Sequence, residues 1–341
     1  MSKFQIATKP GHRASEHIYV IMSLIFMYEQ KGKGLIVTSV DLSKYFDKEN
    51  AIDCCYELYK SNIKGKVYRL IYLLNKNIRI RVKTPVGVTE TEDTGSGMAQ
   101  GTVMASIVSS ASLDNGTKEY FNDEEKIEDD PGKETEKKEN KKEDDEVKYD
   151  EVVIKPLLFQ DDIFSTANSR NKAEEANIKL EKMIESKQLD FNLSKCNFII
   201  AGGKKGRERL QKEVNKEPLT LCNTVLKQTA AQRYLGCMVS ATATASVSAT
   251  VDQRIGLANH AIYEIRAVLE DSLSTTVGGI ALRFSIWNAS VIPMLLWEAE
   301  TWYPLPKKTL KKLDSLMTKQ LRVTMGIGKH GCPLPSLYWF S

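Results

Sequence analysis

The hydrophobic positions follow two spacings along the chain, and each spacing predicts one kind of element. Residues 14–31 carry apolar side chains at helical spacing, with Ser15 as a candidate cap, whereas residues 35–40 (LIVTSV) are almost wholly apolar and β-branched. The first pattern is typical of a helix, and the second of a strand buried on both faces. Two more helices are predicted, around 48–61 and over 67–74.

The later segments continue this alternation and then become helical. Small residues at 103–113 favour a closely packed helix, and the pattern from 252 onward is helical, with a lysine-rich apolar stripe from 307 to 322. That last helix fits either core packing with a solvated face or contact with phosphate. The remaining predictions are a strand at 78–82 with one solvated face, a helix over 172–186, a strand ending at 200 and a strand over 233–240 that forms one arm of a hairpin.

The apolar run YVIMSLIFM at residues 19–27 could belong to a signal peptide or to a buried helix. It is too short to span a bilayer, an acid precedes it, and no small-residue cleavage pattern follows. A buried amphipathic helix is therefore the favoured interpretation. No other stretch is long and apolar enough to cross a membrane.

Charge changes the picture because it is unevenly distributed. The 341 residues carry a net charge of +4, but residues 122–151 hold 15 acids and 7 lysines, which leaves +12 on the rest. Such a body suits a polyanion partner, and it also fits a soluble protein with a charged surface. The insert 122–151 cannot bury a core and is predicted to be a mobile loop, for which a solvated insert without a role is the favoured interpretation.

Cysteine and histidine usage excludes two classes of protein. The six cysteines form no CxxC pair, and the chain has four histidines, so neither a zinc site nor a disulfide framework is indicated. A reducing intracellular compartment is the expectation.

Three acids are the candidate chemistry. Asp41 ends the apolar strand, and Asp161 and Asp162 lie between two apolar runs in a predicted hairpin turn. If these strands are neighbours, their carboxylates gather at one edge of the sheet, where they would suit Mg²⁺ and two-metal phosphoryl transfer. Taken singly, an acid pair also fits a surface turn, and an acid at a strand end also fits a cap.

The order of short motifs resembles the reverse transcriptases of non-LTR (LINE-type) retrotransposons. Each motif is weak alone, but six in this order are specific. The similar stretches are PGHRASEHI (10–18), VDLSKYFD (40–47), GMAQGTVMAS (97–106), FQDD (159–162), LSKCNF (193–198) and YLG (234–236), with WEAETW (297–302) and residues 310–327 similar to the helical region beyond.

The resemblance implies a right-hand polymerase palm of α+β class, an antiparallel sheet with packed helices, and a C-terminal thumb-like helical region. It divides the chain into a residual fingers segment (1–34), the palm (35–240) and a thumb or connection region (241–341). The family's longer fingers segment and its endonuclease are not found in this sequence, so the expectation is an N-terminally truncated fragment of a longer element protein or a decayed copy.

The resemblance also implies roles for single residues. Asp41, Asp161 and Asp162, with the carbonyl of Leu42, would hold two Mg²⁺ ions. Phe46 would exclude a ribose 2′-hydroxyl, or would be an ordinary core aromatic; Lys195 would stand near the leaving pyrophosphate, or would be a surface lysine. The remaining implied contacts are Gln100 and Gly101 on the nucleotide and template, Tyr234, Leu235 and Gly236 on the primer end, and Arg13 on the template.

The implied function is RNA-directed DNA polymerisation, in which an RNA template directs the addition of dNTPs to a DNA primer 3′ end. The alternative is a catalytically dead remnant that only binds RNA or RNA–DNA hybrid. Action in the nucleus is implied only by the family's mode of integration, and no membrane association is expected.

Overall fold

A computed structural model describes residues 5–76, 78–93, 97–98, 102–121, 156–272 and 277–325. The fold combines helices and sheets, with 57% of it helical and a five-stranded mixed sheet. This composition agrees with the α+β class predicted from the sequence. The insert 122–151, together with Gln100 and Gly101, lies outside the described residues.

The helices of the described chain are numbered in chain order. They are α1 (Ala14–Gln30), α2 (Tyr45–Lys48), α3 (Ala51–Lys60), α4 (Gly65–Asn75), α5 (Val103–Phe121), α6 (Arg170–Ser186), α7 (Lys204–Lys216), α8 (Ala243–Ser272), α9 (Val277–Ile286), α10 (Ile292–Leu295) and α11 (Lys307–Met325), with a π-helical turn at Trp287–Val291 and a 3₁₀ turn at Ala299–Thr301. No described helix is long and apolar enough to cross a bilayer.

The strands are short except at the centre of the largest sheet. They are β1 (Gly34–Val40), β2 (Arg79–Ile80), β3 (Lys83–Thr84), β4 (Gly87–Val88), β5 (Glu92–Asp93), β6 (Leu157–Phe159), β7 (Asp162–Ala167), β8 (Asn197–Gly202), β9 (Thr220–Leu221), β10 (Thr224–Val225), β11 (Lys227–Gln228), β12 (Ala231–Tyr234) and β13 (Cys237–Ser240). The five-stranded sheet has the order β11-β8-β1-β7-β6, and the other strands pair as β10-β9, β12-β13, β2-β5 and β3-β4.

The chain divides into two compact units. The first contains 1–12, 36–197 and 213–227, and the second contains 13–35, 198–212 and 228–341. The three-part division expected from the sequence stays a prediction.

β1 is buried, as its apolar and β-branched sequence predicts. Leu35, Ile36, Val37 and Val40 are at most 2% exposed, as expected for a β-branched run covered on both faces. Antiparallel pairing with β7 runs from Ile36 opposite Ala167 to Val40 opposite Ile163. This register positions the acids at the end of the strands.

The first unit also buries the inner faces of α3 and α4 against α5. Their shared core contains Cys55, Leu58, Ile71 and Val108, each at most 4% exposed. Asn50 begins α3 by accepting the backbone N–H groups of Ile52 and Asp53, a normal helix cap. The predicted strand at 78–82 is reduced to two residues, Arg79 and Ile80, both exposed, so the expected half-buried face is wrong.

In the second unit, a glycine contact fixes the start of α7. The amide of Gly206 donates to the carbonyl of Gly32 at 3.0 Å, and a Cβ at Gly206 would collide with the backbone nitrogen of Gly34. Only glycine permits this approach. Elsewhere in this unit, Arg13 rather than the expected Ser15 occupies the cap position of α1, and its amide donates to the carboxylate of Glu16.

The predicted strand over 233–240 is two strands. β12 and β13 form a hairpin in which Tyr234 pairs with Cys237, and the turn between them is Leu235-Gly236. Leu235 has a φ of 46° and Gly236 has a φ of 85°. Of the two residues, only glycine adopts a positive φ without cost.

Candidate active site

The sheet brings two of the predicted acids to one corner of the first unit. Asp41 follows the last residue of β1, and the β1–β7 register, continued by one position, places it opposite Asp162. Asp161 belongs to the two-residue turn between Phe159 and Asp162, which pair with each other. The prediction of a hairpin turn at this acid pair is confirmed.

The turn itself is strained at one residue. Gln160 has a φ of +56°, a conformation that residues other than glycine seldom adopt. Its amide donates to the side-chain oxygen of the buried Gln5 at 3.4 Å. Because strained backbone costs free energy, it persists where the surroundings enforce it, often at functional sites.

Lys195 completes a group that we call the acidic corner, defined as Asp41, Asp161 and Lys195. The Nζ of Lys195 lies 3.6 Å from an Oδ of Asp41. The Asp41 side chain is 28% exposed and that of Lys195 is 67% exposed, so water screens this ion pair and its contribution to stability is small. What the pair fixes is the position of a cation beside the acids.

The charges of Asp41 and Lys195 both act on the carboxyl group of Asp161. Burial raises the pKa of Asp161, and the negative charge of Asp41 raises it further; a hydrogen bond from its own backbone amide and the positive charge of Lys195 act in the opposite direction. The net shift is upward. Asp161 therefore has an unfavourable like-charge neighbour, which a bound cation would relieve.

The backbone around Asp41 is held by the segment before β8. The carbonyl of Asp41 accepts the amide of Asn192 at 2.8 Å, and the amide of Ser43 donates to Asp190 at 2.8 Å. These two bonds form the bridge between Leu42 and Phe191 and do not use the carbonyl of Leu42. The carbonyl of Leu42 is the backbone oxygen that the resemblance predicts to bind a metal ion.

The three-carboxylate metal centre stays a prediction. Asp162 begins β7 as an exposed residue. Within the part of the chain that the structure describes, no group of three or more His, Cys, Asp and Glu side chains could hold a metal ion. The strand register brings Asp41 to Asp162 and to the adjoining turn that contains Asp161, Lys195 lies beside Asp41, and metal binding by these residues stays a prediction.

The other predicted substrate contacts of the first unit are placed less completely. Phe46 is half-buried in α2, packs against the α3–α5 core and meets the ring of Tyr45 edge-on at 5.2 Å between centroids. Its carbonyl accepts the amide of Met98 at 2.7 Å, so the segment before Gln100 is attached to α2. The roles of Phe46, Gln100 and Gly101 stay predictions.

The predicted primer contacts lie in the second unit. Tyr234 is 2% exposed, and its hydroxyl lies 3.0 Å from Nδ1 of His17. The carbonyls of the following turn, Leu235 and Gly236, accept from the Trp297 indole at 3.2 Å and the Arg254 guanidinium at 2.5 Å. The turn is thereby fixed. Arg13 is exposed at the start of α1, and its template role stays a prediction.

Sequence reasoning missed the residues that support the corner. The buried thiol of Cys196 lies 3.5 Å from the amide of Asp41 and 3.7 Å from its carbonyl. Asn192 and Cys196 are about 150 positions from Asp41, so no periodicity links them. The one available signal was their position beside Lys195.

Comparison with known proteins finds distant similarity among solved structures. No family model matches the chain, and no curated protein matches it. Among solved structures, the chain is similar to telomerase from Candida tropicalis, determined in complex with a TWJ fragment of telomeric RNA, with a TM-score of 0.45 and 9% sequence identity. The match covers 95% of this chain and 53% of the other, so the chain spans about half the length of that protein. A similarity this distant identifies no family.

Proposed function

We propose that this chain is an RNA-directed DNA polymerase domain of right-hand palm type, with the acidic corner as its catalytic centre. The observation that carries the proposal is the strand pairing that brings Asp41 to the hairpin of Asp161 and Asp162, which is distant in sequence, with Lys195 beside Asp41 at 3.6 Å. The ordered motifs of the sequence supply the choice of reaction. The substrates would be an RNA template, a DNA primer and dNTPs.

The donor set at the corner fits a hard divalent cation. The carboxylates of Asp41 and Asp161 are oxygen ligands of the kind that Mg²⁺ prefers, and Asp162 and the Leu42 carbonyl would complete the set. Bound there, two Mg²⁺ ions would supply charge for the attacking and leaving oxygens of nucleotidyl transfer.

The side chains around the corner would orient the substrates and neutralise the charge of the leaving pyrophosphate. Lys195 would place its positive charge against the leaving pyrophosphate, for which its exposed side chain has the required freedom. Phe46 would set the width of the sugar pocket. In the second unit, the turn at Leu235-Gly236 would hold the primer strand.

A second candidate function is binding of RNA or RNA–DNA hybrid without catalysis. The observation that favours it is that no cluster of three or more potential ligands in the described residues could hold a metal. A basic body would still bind phosphates. The two candidates differ in whether the primer is extended.

Primer extension on a primed poly-rA template with Mg²⁺ tests the proposal. We expect extension by the wild type and a loss of about a thousandfold or more for Asp161→Asn, the scale expected when one essential charge of a catalytic site is removed. Glu175→Gln, which alters an exposed acid of α6, is the matched control and should extend normally. If the wild type binds hybrid but does not extend it, the proposal is wrong and the second candidate stands.

A further inference from the structure

A second buried carboxyl group lies in the first unit, at a cavity of about 180 Å³. The cavity lies between α3, Ser112 of α5 and residues 186–189, which are the end of α6 and the chain after it. Its lining includes Glu49, Asp53, Glu57 and Lys187 as charged residues. We call it the Glu49 cavity.

Glu49 is the most deeply buried of these acids, at 2% exposure. Its carboxylate accepts the hydroxyl of Ser109 and the thiol of Cys54, the latter at 3.3 Å, while the Tyr45 hydroxyl donates to the backbone carbonyl of Ser109 at 3.0 Å. Both donors to the carboxylate are neutral. Burial raises the pKa of Glu49, and these hydrogen bonds only partly offset the cost of its charge.

The one cation among the lining residues is engaged by another acid. Lys187 pairs with Glu57 at 3.3 Å, and both side chains are 15% exposed. Glu57 also accepts from Asn115 at 3.0 Å and from Lys60 at 3.3 Å. Burial alone would raise the pKa of Glu57, but the Asn115 hydrogen bond and the Lys187 charge outweigh it, and the pKa is lowered.

The cavity therefore has an unequal charge balance. Its lining holds three carboxyl groups and one lysine, so an anionic ligand is disfavoured. A metal ion is disfavoured as well, because no set of three or more suitable side chains in the described ranges could hold one. The excess of carboxyl groups over lysine instead favours an organic cation.

We infer that the Glu49 cavity binds a small alkylammonium ion, with the Glu49 carboxylate as its counter-ion. An apolar cavity of about 150 Å³ accommodates benzene, so this cavity has room for a molecule of about six to eight heavy atoms. A four-carbon diamine has this size. Its first ammonium group would meet Glu49, and its second would reach the exposed Asp53 at the rim.

Calorimetric titration of the full chain with 1,4-diaminobutane tests this inference. We expect one site with a Kd of about 1 mM or tighter, a strength within reach of a ligand of six heavy atoms. Glu49→Gln should weaken binding at least about tenfold, because it removes the counter-ion. Glu185→Gln, an exposed acid of α6 outside the cavity, should leave the affinity unchanged.

Two further titrations keep the inference falsifiable if Glu49→Gln does not fold. Butane-1,4-diol has the same length without charge and should not bind. Asp53→Asn changes an exposed rim residue and should weaken the diamine about threefold or more but leave butylamine unaffected. Equal affinity for diol and diamine, no saturable binding, or an unchanged affinity in Glu49→Gln would each overturn the inference. None of these outcomes depends on polymerase activity.

Discussion

The acidic corner and the Glu49 cavity solve the same electrostatic problem in different ways. Each holds a carboxyl group whose pKa is raised, first of all by burial. At the corner, a second carboxylate raises the pKa of Asp161 further, and an exposed lysine opposes it. In the cavity, Glu49 has neutral donors, and the nearby lysine is paired with Glu57.

The difference teaches which cation each place suits. Two carboxylates at the same end of a strand pair concentrate negative charge and favour a compact ion with a double charge. In the cavity, Glu57 is paired with Lys187 and Asp53 is exposed, so the buried Glu49 carboxylate calls for one further positive charge, and the space beside it suits an ion with an apolar chain. The presence of a second carboxylate acting on the buried acid, more than burial itself, distinguishes the two places.

The largest effect that would sharpen this comparison is expected at Lys195. Removing its charge in Lys195→Met should slow primer extension about tenfold to a hundredfold, since a positioned proton donor or charge contributes on that order or more. Lys195→Arg keeps the charge and should retain most of the activity. Single-turnover rates measure the effect, and equal rates for the wild type and Lys195→Met would contradict the assigned role.

A smaller effect is expected from removing the cation of the cavity. Lys187→Met removes the more buried of the two lysines that pair with Glu57 and should lower the free energy of unfolding by about 1–2 kcal/mol, less than for a fully buried pair because both side chains are partly exposed. Urea unfolding measures it. The same variant should bind 1,4-diaminobutane more tightly, because a competing positive charge is gone.

The matched control for this experiment is Lys182→Met, which alters an exposed lysine of α6 outside the cavity lining. It should change neither the stability nor the diamine affinity. Weaker diamine binding in Lys187→Met would mean that the lysine contacts the ligand rather than competing with it, and the charge argument for the cavity would fail.

The acidic corner could be predicted from the sequence, and the Glu49 cavity could not. The apolar run before Asp41 predicts β1, and the apolar runs on both sides of Asp161 and Asp162 predict the hairpin. Because β1 pairs with β7 of that hairpin, the acids come to the same end of the sheet. Glu49 lies in the charged stretch DKEN, which resembles a solvent-exposed turn. Its burial depends on Ser109 of α5, 60 positions away, and no local pattern records that contact.

Turns and caps were the other places where local patterns fell short. The run at 233–240 has the alternation of a single strand, and Gly236 was the only signal of the turn that divides it. For α1, Ser15 is the better capping residue by preference, but the helix begins after Arg13. Tertiary packing decides such boundaries.

Binding of Mn²⁺, used as a spectroscopic substitute for Mg²⁺, tests most directly whether the two acids of the corner share a cation. We expect electron paramagnetic resonance titration to show at least about tenfold weaker binding for either Asp41→Asn or Asp161→Asn. The double variant should lose little more than each single one, because a shared ion makes the two losses non-additive. Wild-type affinity in either single variant, or fully additive losses, would contradict a shared metal site.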